Sequence, residues 1–106
     1  MRKLLEPHFD IVGTAENGRI LLELAKDLHP DVILVDVSMP LLNGIDAARQ
    51  LRKIVPDSRI LFVTMHEDRA LEAFDAGGSG YVLKHSAPSE LVFAIQEVAA
   101  GRFYVA

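Results

Sequence analysis

The 106-residue sequence predicts an α/β fold, a parallel sheet covered by helices on both faces. Three observations carry this. Short apolar runs alternate with segments of helical period along the whole chain, which is the pattern of strand–helix–strand units. The run Val32-Ile33-Leu34-Val35 is continuously apolar rather than alternating, as in a strand buried on both faces. That run leads into Asp36, between the bracketing prolines Pro30 and Pro40. A carboxylate therefore stands at the carboxyl end of a strand, where ligands gather in open parallel sheets. A helix-capping role for Asp36 is the plainer alternative, but Asn43, just before Gly44, is better placed for it.

Taken in order, residues 1–6 read as the tail of a helix closed by Pro7. Residues 9–15, with Ile11-Val12, read as a strand. Asn17-Gly18 opens a helix over 19–28 whose Leu21, Leu24, Ala25 and Leu28 share one face; His29-Pro30 stops it. After the strand at 32–35 and a loop through Leu41-Leu42, residues 44–55 form a helix with Ile45, Ala48, Leu51 and Val55 in one stripe. Residues 59–64 are a second buried-type strand, and 67–76 a helix ended by Gly77-Gly78. Residues 80–84 are a short strand, and 86–100 the last helix, with Pro88 in its first turn. Arg102-Phe103-Tyr104-Val105 trails off.

Composition narrows the function classes. Half the residues are hydrophobic and a quarter charged, which suits a single water-soluble core in one domain. A net charge of −4 without a basic cluster gives no general affinity for nucleic acid. The absence of cysteine excludes disulfides and thiolate metal sites. No apolar run approaches membrane-spanning length and no secretion signal opens the chain, so a cytoplasmic location is expected. His8, His29, His66 and His85 show no metal-ligand spacing and read as surface or loop residues.

Three strands end in residues with chemical capacity: Asp36, Thr64 and Lys84. In a parallel sheet those ends share one edge, so the three side chains converge. A carboxylate can attack as a nucleophile and carry an acyl phosphate. A hydroxyl can donate to a phosphoryl oxygen, and an ammonium offers a compact positive charge. Singly, Thr64 could cap a helix and Lys84 could be merely solvated. Their joint placement with Asp36 is what argues for phosphoryl chemistry.

The residues Val35-Asp36-Val37-Ser38-Met39-Pro40, Asn43-Gly44, Thr64 and Ala76-Gly77-Gly78-Ser79-Gly80-Tyr81-Val82-Leu83-Lys84 resemble the receiver domain of two-component response regulators. The likeness runs over nearly the whole chain. The residues from Glu97 to Val105 are similar to the receiver end of regulators that continue into a helix-turn-helix output domain. The resemblance implies a flavodoxin-like, doubly wound parallel sheet and a signalling domain rather than an enzyme. It makes Asp36 the phosphate acceptor, Thr64 the switch hydroxyl, Lys84 the lysine that pairs with the phosphate, and Tyr81 the aromatic that moves with Thr64. Ser38 would lend its backbone carbonyl to Mg²⁺, which Asp36 also binds. The implied partner is a sensor histidine kinase, with the last two helices and the Tyr81 strand as output and dimerisation face.

Two departures qualify the resemblance. The family's first, central strand and the acidic pair at its end have no counterpart here, so the chain reads as one receiver domain over 1–106, partial at its start and without an output domain. A misplaced start codon, a trimmed chain and a partial gene would look alike. Mg²⁺ prefers near-octahedral oxygen ligation, which Asp36 and one carbonyl do not supply; Asp10 is expected at the far sheet edge, and Glu16 is a remote substitute. Phosphorylation is therefore expected to be weak or absent. The missing strand also predicts self-association or strand exchange at an exposed edge. The second departure is that His85-Ser86-Ala87 precede Pro88, where many receivers have proline directly after the lysine.

Other readings are weaker. An aspartate-nucleophile phosphatase of the haloacid dehalogenase type needs a second aspartate at the position of Ser38. A serine hydrolase elbow fails because Tyr81 stands where its last glycine belongs. The stronger rival is a receiver-like interaction module that is never phosphorylated.

Overall fold

The structure is a computed structural model and describes residues 5–38, 42–86 and 88–105. Residues 1–4 of the expected helix tail, Met39, Pro40 and Leu41 of the loop after Asp36, and Ala87 lie outside the described residues. The elements are α1 (Gly18–Leu28), β1 (Val32–Val35), α2 (Gly44–Ile54), β2 (Arg59–Thr64), α3 (Ala70–Asp75), β3 (Gly80–Leu83), α4 (Pro88–Ala99) and β4 (Tyr104–Val105).

The four strands form one sheet in the order β1-β2-β3-β4, and every pair is parallel. Alternation along the strands then sorts the core into two layers. Ile33, Val35, Ile60, Phe62 and Tyr81 pack under α1, α2 and α3, with Ala25, Ala48, Leu51 and Ala73 as their partners. Leu61, Val63 and Val82 face the other way, against Leu91, Ala94, Ile95 and Val98 of α4. Apolar side chains on both faces explain why the strands read as unbroken hydrophobic runs.

The helix boundaries follow local chemistry. The Asn17 side chain accepts from the Ile20 N–H at 3.0 Å and starts α1. His29, at φ 46°, ends it in the left-handed region. The Asn43 carbonyl oxygen accepts from the Asp46 N–H at 2.9 Å and caps α2, as expected. The Gly44 N–H donates to the Val37 carbonyl at 2.9 Å, which brings the first turn of α2 against the end of β1. A Cβ at Gly44 would fall inside contact distance of the Asp36 carbonyl, so only glycine allows this approach.

Three expectations need correction. Residues 9–15 form no strand. A strand exists by pairing, and β1 hydrogen-bonds only to β2, so the segment has no ladder partner and runs irregularly along a groove beside β1. The helix expected over 67–76 is the six-residue α3: Arg69, at φ −109° and ψ 8°, stands before it as a non-helical cap residue, and its side chain reaches Glu72 through two hydrogen bonds of 3.0 and 3.1 Å. The tail expected to trail off instead contributes β4, held to β3 by register pairs Gly80↔Tyr104 and Tyr81↔Val105.

Candidate functional site

Parallel pairing puts the carboxyl ends of β1, β2 and β3 on one edge, with Val35 opposite Phe62 and Thr64 opposite Leu83. Asp36 follows β1 directly, and Lys84 follows β3. Their side chains meet: the Lys84 ammonium donates to Asp36 Oδ2, forming a partly exposed ion pair. The other carboxylate oxygen, Oδ1, accepts from the Ser38 N–H at 3.0 Å, a local turn at the strand end.

Thr64 is the only buried polar residue among those described, with 0% exposure. It makes no side-chain bond to Asp36 or Lys84. Instead its backbone carbonyl accepts from the Lys84 N–H at 2.8 Å, and its Oγ1 accepts from the His66 N–H at 3.2 Å. Tyr81, 3% exposed, donates its hydroxyl to the His66 backbone carbonyl. The imidazole Nε2 of His66 lies 2.6 Å from Ser38 Oγ. Asp36, Ser38, His66, Thr64 and Tyr81 thus form one hydrogen-bonded chain, with Lys84 attached at both Asp36 and Thr64.

His66 lies in a loop, as read from the sequence, and it is also the residue through which the hydroxyl, the aromatic and the loop serine are connected. The signal was its position two residues past Thr64, in the loop leaving a central strand. Residue type alone gave none.

Burial works to raise the Asp36 carboxyl, but it is outweighed. The Lys84 hydrogen bond, the Ser38 N–H and the nearby charges of Lys84 and His66 hold it below its ordinary range. Asp36 is therefore an anion at neutral pH, which a nucleophilic role requires. Burial pushes the Tyr81 phenol above its usual range, so it stays a neutral donor to His66.

The described residues offer Mg²⁺ no complete set of ligands. No three His, Asp or Glu side chains among them stand close enough to share a metal ion. Asp36 Oδ2 is engaged by Lys84, which leaves the carboxylate and the Ser38 carbonyl as an incomplete set for a near-octahedral ion.

Comparison with known proteins agrees with the fold. A family profile described as the response regulator receiver domain matches residues 1–96. The transcriptional regulatory protein DegU of Brevibacillus brevis is 37% identical over 103 residues, covering 95% of this chain and 44% of its own length. The nitrate/nitrite response regulator protein NarL of Escherichia coli K12 is 38% identical over 99 residues, covering 92% and 46%. A crystal structure of a two-component response regulator of the LuxR family from Aurantimonas sp. SI85-9A1 superposes with a TM-score of 0.92 at 39% identity, over 97% of this chain and 76% of that one. The isolated REC domain of RcsB from Salmonella enterica serovar Typhimurium, determined with the phosphomimetic BeF₃⁻, superposes with a TM-score of 0.87 at 28% identity, over 99% and 81%. This chain belongs to the response regulator receiver family, and its fold is the flavodoxin-like fold of that family. It spans less than half the length of the curated relatives DegU and NarL.

Proposed function

We propose that residues 1–106 act as one receiver unit in which Asp36 accepts a phosphoryl group from the phosphohistidine of a sensor kinase. The observation that carries this is the Asp36–Lys84 pair at the shared strand edge, with Thr64 at the neighbouring strand end. An Asp36 oxygen forms the new P–O bond, the donor P–N bond breaks, and its electron pair returns to the imidazole. Lys84 then faces a dianionic acyl phosphate instead of a single carboxylate. Thr64 exchanges the His66 N–H for a phosphoryl oxygen, and the loop from Thr64 to His66 shifts with it. Tyr81, bonded to His66, repacks in response, so the face carrying β3 and α4 reports the charge at Asp36.

The reading makes the chain a cytoplasmic signalling domain rather than an enzyme, one that serves transcriptional control through dimerisation and contacts no nucleic acid itself. No helix of the described residues is long and apolar enough to cross a membrane. The incomplete magnesium set supports slow labelling, and the open edge of β1 supports association with another strand. That same ligand set favours a second reading, an interaction module that works unphosphorylated. Labelling with acetyl phosphate and Mg²⁺, followed by mass mapping, separates them. Incorporation at Asp36, slower than in receivers with a complete acidic set, supports the first reading. Partner binding without incorporation supports the second.

A further inference from the structure

We propose that the Ser38–His66 hydrogen bond is a second connection between the accepting oxygen of Asp36 and Tyr81, one that runs through the His66 side chain and bypasses Thr64. It rests on the reading of Asp36 as the phosphoryl acceptor. The two residues stand on different loops, 28 positions apart, and meet across the carboxyl edge of the sheet, where Ser38 Oγ lies 2.6 Å from His66 Nε2. Each is anchored to one end of the route. The Ser38 N–H donates to Asp36 Oδ1 at 3.0 Å, and the His66 carbonyl accepts from the Tyr81 hydroxyl. Thr64 reaches the same histidine separately, where its Oγ1 accepts from the His66 N–H at 3.2 Å. His66 thus receives two inputs, one on its ring and one on its main chain. Both lead to Tyr81, whose ring packs against Phe62 with centroids 6.5 Å apart.

Which carboxylate oxygen reacts decides whether Ser38 takes part. Lys84 holds Oδ2, so Oδ1 is the oxygen free to form the P–O bond. As that bond forms, the donor P–N bond breaks, and Oδ1 changes from a carboxylate oxygen to the bridging oxygen of an acyl phosphate. A bridging oxygen is a weak acceptor, whereas the three phosphoryl oxygens share about two negative charges and are strong ones. The Ser38 N–H therefore exchanges Oδ1 for a phosphoryl oxygen, and Oγ of the same residue moves with it. That movement reaches His66 in either ring tautomer, because a hydroxyl can donate to Nε2 or accept from it. The loop carrying His66 is then displaced from the side of Asp36, whatever Thr64 does. One charge at Asp36 is read twice.

The test is a mutant cycle in the 106-residue chain, read at the Tyr81 ring by nuclear magnetic resonance. Asp36→Asn neutralises the group that holds Ser38, so its effect on Tyr81 is read without any phosphoryl donor. Ser38→Ala keeps the N–H that reaches Oδ1 and removes only the hydroxyl, while Thr64→Val removes the other route. The expected result is a Tyr81 shift on Asp36→Asn that falls about twofold in Ser38→Ala, about twofold in Thr64→Val, and vanishes when both are present. Ser38→Thr retains a hydroxyl and should restore the parent response, which a merely local disturbance of the loop would not do. No Tyr81 shift on Asp36→Asn, a shift unchanged by Ser38→Ala, or one abolished by Thr64→Val alone would overturn the proposal. Mass mapping after acetyl phosphate treatment checks the acceptor reading separately. Absence of incorporation at Asp36 would count against that reading, while the Asp36→Asn series still decides this one.

Discussion

The Lys84 ammonium closes on Asp36 Oδ2 while the Lys84 backbone N–H bonds to the Thr64 carbonyl, so one residue ties the carboxylate strand end to the hydroxyl strand end.

Replacing Lys84 by methionine should release the Asp36 carboxyl toward its ordinary pKa. Asp36 is held below its unfolded value, so the pair's stabilisation is fully present above about pH 4 and is lost as pH falls through the depressed folded value. Both side chains are about a third exposed, so the difference should be no more than about 1 kcal/mol. Urea unfolding of both proteins between neutral and acid pH should show a constant gap that closes only under acid conditions.

Thr64→Val keeps the volume of a fully buried side chain but removes the acceptor for the His66 N–H. The expected cost is about 1 kcal/mol. Thr64→Ser keeps the acceptor, so its amide exchange at His66 should stay near that of the parent protein while Thr64→Val speeds it.

Tyr81→Phe and Tyr81→Ala should separate the polar and apolar contributions of this ring. The first loses only the bond to the His66 carbonyl, about 1 kcal/mol. The second also empties a site packed against Phe62, about 3–5 kcal/mol. Equal losses in denaturant unfolding would show that the ring's packing contributes nothing.

Gly44→Ala should be the most disruptive small change near the site. The added methyl meets the Asp36 carbonyl rather than a movable side chain. A loss of about 1–3 kcal/mol is expected, with shifted Asp36 and Ser38 resonances, whereas most exposed helix positions gain from the same change.

The sheet and the Asp36–Lys84 pair were legible in the sequence because each rests on a local pattern. Apolar runs between turn residues marked β1, β2 and β3, and their ends placed the chemistry. Residues 9–15 misled because Ile11-Val12 has strand character but no partner to pair with. β4 was missed for the opposite reason: two residues carry almost no pattern, and register with β3 alone makes them a strand. The contacts of His66 were not legible in its residue type: of its three hydrogen bonds, two run through its backbone, which any residue could make, and two reach the sequence-distant Ser38 and Tyr81.

The most direct test of the account is to expose the chain to acetyl phosphate, trap any acyl phosphate with borohydride, and map the reduced residue by mass spectrometry. The account predicts slow modification of a single residue, Asp36, that disappears in Asp36→Asn. Modification of a different carboxylate, or labelling that persists in Asp36→Asn, would contradict it.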